Sequence, residues 1–137
     1  MSAIANLLNQ PPVFLRRVLV LDAVASGATG LLAIVASGFL SWLLDLPAGM
    51  LLGAGLVLVP YVLFVVYTAT RSEIPRGAVT LIIIANALWA IASVAVLLSG
   101  WVAPNALGIA FVLAQAAVVA LLGELQYVGL RRPLATA

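Results

Sequence analysis

A chain of 137 residues, 66% hydrophobic, only 7% charged and with a mean hydropathy of +1.29, carries too few polar groups to coat a soluble domain. Its net charge of +2 comes from six arginines set in pairs or near-pairs at the ends of apolar runs, a pattern of membrane topology and lipid-phosphate contact that excludes nucleic-acid binding. With no Cys and no His, thiol redox chemistry, disulfides, iron–sulfur clusters, zinc sites and His- or Cys-ligated haem are all excluded, so no metal and no cofactor is expected.

The apolar residues fall in runs long enough to cross a bilayer core, and nothing alternates at period two as a transmembrane barrel strand would. The expected fold is all-α: a polytopic membrane protein whose single domain has four transmembrane helices over about 13–40, 49–70, 77–98 and 103–130. Residues 1–10 read as a weakly amphipathic lead closed by Pro11-Pro12, which suit the first turn of a helix. Arg16-Arg17 ahead of an apolar run resembles the start of a signal peptide, but Asp22 interrupts that run and the apolar stretch continues far beyond Ala25. An uncleaved first span fits better.

In the first helix, Asp22, Ser26, Thr29, Ala33 and Ala36 form a small or polar stripe at helical spacing. A loop with Trp42, Asp45 and Pro47 leads into the second helix, where Gly49 and Gly53 form a GxxxG expected to pack against a neighbour and Pro60 is expected to kink the chain. A charged turn between Arg71 and Arg76 precedes the third helix, which carries Asn86 and Ser93. The fourth helix carries Gln115, Glu124, Gln126 and Tyr127 and stops at Arg131-Arg132. At about 100° per residue, Ala117, Ala120, Glu124, Tyr127 and Arg131 share one face of it, with Gly108, Gln115, Leu122 and Gln126 on the opposite one.

Short loops force neighbouring spans into an antiparallel up-down bundle. Arg16, Arg17, Arg71, Arg76, Arg131 and Arg132 then share one side, which the positive-inside rule makes cytoplasmic, with both termini there. Trp42 and Trp101 fall at the opposite interface. Counting about 1.5 Å per residue from these arginines, Asp22, Glu124 and Tyr67 are expected in one layer beneath the cytoplasmic surface, with Asn86 and Tyr61 deeper and Gln115 in the outer half. A carboxylate among lipid tails costs about 2.5–3.5 kcal/mol on insertion scales, so Asp22 and Glu124 are the foremost candidates for a ligand or proton site, with Tyr67, Asn86, Gln115 and Tyr127 around them.

Without His or a phosphate-binding glycine loop, no hydrolase or nucleotide pattern is present and no enzyme activity is expected. The sequence points instead to a small integral protein, of the kind found in bacterial inner membranes. It is expected to act by helix association, as a homo-oligomer or as a subunit of a larger membrane complex, and to hold membrane lipid or another hydrophobic ligand between its helices. The alternative is a small oligomeric proton-coupled transporter using Glu124 and Asp22. Its layout resembles the small multidrug resistance exporters in topology alone: there the essential Glu lies in the first helix, whereas here the first helix has Asp22, so no residue role carries over.

Overall fold

The computed structural model describes residues 11–131 and contains five helices there: α1 (Pro11–Val35), α2 (Ser37–Leu44), α3 (Ala48–Ala69), α4 (Arg76–Ser99) and α5 (Ala106–Arg131). The lead before Pro11, and Arg132, lie outside the described residues. Four of the helices are long and apolar enough to cross a membrane, with no more than 28% of any span buried within the chain. Leu31, Leu63, Leu88 and Ile91 are among the many large apolar side chains turned outward. So much outward apolar surface is stable only against hydrocarbon, so the chain is an integral membrane protein.

The first apolar run is two helices rather than one over 13–40. Ala36 leaves helical geometry at φ −113° and ψ 25°, and the chain re-enters helix at Ser37-Gly38, a residue pair where helices commonly bend. Beyond the break α2 packs against α3 and α5, and Leu40, Leu44, Leu46 and Leu51 form a cluster packed against Val102, Phe111 and Val112. Asp45 ends α2 in the left-handed region at φ 59°, a conformation Asp tolerates better than most residues. Asn105 clamps this end: its side chain donates to the Leu43 carbonyl at 2.9 Å, its backbone N–H donates to the Leu44 carbonyl at 3.2 Å, and its Oδ1 accepts the Gly108 N–H at 2.8 Å to cap α5.

Close packing runs through glycines, but not those of the GxxxG. A Cβ at Gly55 would lie 2.8 Å from Ile34 Cγ1 and 2.9 Å from the Gly30 carbonyl, so α1 and α3 nearly touch backbone to backbone there. Gly49 and Gly53 meet nothing within 4 Å, because α3 turns its Leu51, Gly55, Leu58 face toward α1 and leaves the GxxxG on another. Pro60 is exposed, and α3 runs through it without a break. α1 pairs with α3, α4 pairs with α5, and α1 also meets α5; α3 and α4, although joined by the charged turn, make the sparsest contact. One core cluster, built on Leu15, Leu19, Val65, Ala69, Val79 and Ile82, ties that end together.

Arg16 reaches across from α1 to the end of α3. Its guanidinium donates to the carbonyls of Ala69, of Arg71 at 2.7 Å and of Ser72 at 3.3 Å, where the partial negative charge of a helix C-terminus favours a cation. Arg71 lies 4.4 Å over the Tyr67 ring, and Arg131 lies 5.5 Å from the centre of the Tyr127 ring while donating to its hydroxyl at 3.1 Å.

Candidate functional site

Asp22 is wholly buried, and side chains from all four long helices converge on it. Ser26, one turn along α1, donates to Oδ1 at 2.8 Å. Oδ2 accepts three bonds: from the Tyr61 hydroxyl of α3 at 2.6 Å, from Asn86 Nδ2 of α4 at 3.1 Å, and from Gln126 Nε2 of α5 at 2.7 Å. Asn86 and Gln126 also bond to each other, Nδ2 to Oε1 at 2.8 Å, and the Tyr61 oxygen lies 3.0 Å from Asn86 Oδ1. Tyr61 has one hydrogen and two acceptors in reach, so it satisfies one at a time.

The four donors are neutral, and among the described residues no arginine hydrogen-bonds to Asp22. A buried carboxylate without hydrogen bonds would be prohibitively costly, so the donors are what permits it. Gly123 lets α5 approach: a Cβ there would sit 3.2 Å from Asn86 Cβ. No buried side-chain nitrogen or oxygen among the described residues lacks a partner.

Beside this layer a cleft of about 380 Å³ lies among the four long helices, lined by residues of each of them. Ser26, Tyr61 and Asn86 line the end next to Asp22, while Thr29, Trp89 and Gln115 line the part farther from it, with apolar residues between. A second void of about 210 Å³ shares Thr29, Leu58, Trp89, Phe111 and Gln115 with the first and prolongs the groove toward Met50 and Val102. Gln115 is fixed there by α4. Trp89 Nε1 donates to Gln115 Oε1 at 2.9 Å, and Gln115 Nε2 donates to Ser93 Oγ at 2.9 Å and to the Val112 carbonyl at 2.8 Å.

Of the candidates read from the sequence, Asp22 and Asn86 therefore meet in one network and Gln115 lines the same cleft. Glu124, Tyr67 and Tyr127 do not join them: all three are exposed, the two tyrosines beneath the arginines four residues on. Asp22 and Glu124 do not form a carboxyl pair, because Gln126, about 200° around α5 from Glu124, occupies the inward position. Gln126, Tyr61, Ser26 and Trp89 were not among those candidates. The available signals were the shared face of Gly108, Gln115 and Gln126, the i, i+4 spacing of Asp22 and Ser26, and the common depth of Tyr61 and Asn86.

Comparison with family models, with curated proteins and with solved structures finds no match to this chain.

Proposed function

We propose that this protein is a ligand-binding module of the membrane: an up-down bundle of four spans that holds a lipid or other hydrophobic molecule in the cleft among its helices. One observation carries the reading. The cleft lies among the four spans, is walled mostly by apolar and aromatic side chains, and carries a small set of polar groups, the usual form of a small-molecule site. A lining this apolar suits a ligand that arrives from the bilayer. The arginines make the charged turn and the start of α1 the cytoplasmic end; Arg16 reaching the carbonyls of Arg71 and Ser72 supports their lying together, and Asn105 reaching Leu43 and Leu44 joins the other two connections at the opposite end. The inner membrane of a bacterium is the setting this fits.

The test uses Trp89 as the reporter, with Trp42 and Trp101, both exposed, replaced by Phe. In phosphatidylcholine nanodiscs, 1-bromododecane should quench Trp89 saturably, and filling the cleft with Ala114→Phe should abolish the saturable part. Quenching that rises linearly and is the same in the filled variant defeats the proposal.

A second role, association with further copies or with a larger complex, is favoured by Glu124. It is an exposed carboxylate on a membrane span, and Ala117 lies exposed on the same face. In the transporter alternative, Asp22 alone would be the proton carrier, since Glu124 faces away from it.

A further inference from the structure

We infer that the cleft selects an apolar molecule whose head carries a hydrogen-bond donor, an alcohol in the simplest case, over molecules whose heads only accept. This rests on the cleft being the ligand site, and it follows from where each polar hydrogen on its wall goes. Beside the Asp22 layer Ser26 donates to Asp22 and the single hydrogen of Tyr61 goes to Asp22 or to Asn86 Oδ1, and about one turn farther along α1 Thr29 donates to the Ala25 carbonyl at 2.8 Å. The two amide hydrogens of Asn86 go to Asp22 and to Gln126. Farther out, Trp89 N–H is held by Gln115, both amide hydrogens of Gln115 are used by Ser93 and Val112, and Ser93 donates to the Trp89 carbonyl at 2.7 Å.

The amide orientations are fixed by chemistry. An indole N–H only donates, so the atom of Gln115 facing Trp89 is oxygen, and a carboxylate only accepts, so the atom of Asn86 facing Asp22 is nitrogen. The helices consume the neighbouring backbone N–H groups. What the wall still offers is lone pairs, on Ser26 Oγ, Thr29 Oγ1, the Tyr61 oxygen and Gln115 Oε1.

A ketone, an ether or an ester meets these oxygens with oxygens of its own and loses its hydration or interfacial bonds for nothing. A hydroxyl gives its hydrogen to them. Ser26 and Tyr61 are polarised by the carboxylate they donate to, which makes their oxygens better acceptors. Asp22 itself is sealed, with no exposed surface, so the head meets Ser26 and Tyr61 instead of the carboxylate.

The experiment compares 12-bromo-1-dodecanol, its methyl ether and 1-bromododecane in pure phosphatidylcholine nanodiscs, with Trp89 again the reporter and affinities expressed per mole of lipid. The alcohol should bind at least about fivefold more tightly than the ether, the scale of one net hydrogen bond. The ether should bind no better than the bromoalkane. In a Ser26→Ala, Thr29→Val double variant the alcohol's advantage should fall to about twofold or less, while the bromoalkane's affinity stays put. Saturable binding of all three at equal strength keeps the cleft and overturns donor selection. Alcohol preference unchanged in the double variant overturns Ser26 and Thr29 as the acceptors, and saturable binding by none of the three overturns both the cleft reading and this one.

Discussion

Asp22 gathers four donors, and the way those donors are satisfied decides which substitutions the protein tolerates. An Asn in its place can put its amide oxygen where Oδ2 stands and keep the bonds from Tyr61, Asn86 and Gln126. Its NH₂ then faces Ser26 Oγ, which turns from donor to acceptor and gives its own hydrogen to the backbone carbonyl one turn back. A Leu satisfies none of them; Tyr61 can turn to Asn86 Oδ1, but Asn86 and Gln126 are each left with a buried hydrogen to place. Interhelical bonds in lipid average only about 0.6 kcal/mol, but orphaned buried donors cost about 1–3 kcal/mol each. Asp22→Asn should therefore change stability by no more than about 1 kcal/mol, and Asp22→Leu should lose at least about 2 kcal/mol, measured by unfolding in mixed SDS micelles. Equal stability of the two variants would show that the donors find other partners and that the network holds nothing together. From the sequence, Asp22 and Asn86 stood out because polar groups in a span need partners. The partner on α5 was misplaced onto Glu124 because a charge outweighs an amide in any sequence reading. The packing decided otherwise: Gly108, Gly123 and Gly129 mark the buried side of α5, and that side carries Gln126.

At the scale of elements, what joins α1 to α3 is the absence of a side chain. Gly30 and Gly55 let the backbones approach until a Cβ at Gly55 would have to displace Ile34, Ala33 and the Gly30 carbonyl, the last of which cannot move without bending α1. Gly53, two residues earlier, looks toward open space. The two glycines therefore make a matched pair. Gly55→Ala should destabilise by about 1–3 kcal/mol through overpacking, whereas Gly53→Ala should be neutral or gain up to about 1 kcal/mol from helix propensity. Thermal unfolding in maltoside micelles distinguishes them, and a Gly55→Ala protein as stable as the parent would mean that the α1–α3 contact is looser than described. The four spans were legible in the sequence to within a few residues at most ends, since length and hydropathy set them. The bend at Ala36 was not, because Ser-Gly pairs also occur inside straight helices, and whether one bends depends on whether a neighbour such as α5 holds the far segment down. The GxxxG was legible as a motif, but its face was not, because α3 is apolar all round and only its partner fixes its rotation.

The whole molecule has two unlike surfaces in the membrane: an outward surface that is apolar nearly everywhere, and one face of α5 where Ala117, Glu124 and Tyr127 are exposed. A carboxylate on a span costs a few kcal/mol if it remains among acyl chains, and its distance of about 10 Å from Arg131 along the helix is more than a Glu side chain covers by snorkelling with ease. A second copy apposed along the same face removes that cost by giving Glu124 a polar neighbour, and the small Ala117 allows close approach. Orientation and association are tested by one cysteine scan, because the chain has no cysteine of its own. A single Cys at Ser72, in the charged turn, should react with an impermeant maleimide only when the cytoplasmic face is open to the reagent; one at Ser99, beside the opposite turn, should react from outside. A single Cys at Ala117 should form an interchain disulfide under mild oxidation, one at Leu88 on the outer face of α4 should not, and Glu124→Leu should reduce the Ala117 crosslink severalfold. Labelling of both turns from the same side would overturn the up-down arrangement. Equal crosslinking at positions 117 and 88 would reduce the α5 face to random collision in the bilayer and overturn its role as an interface.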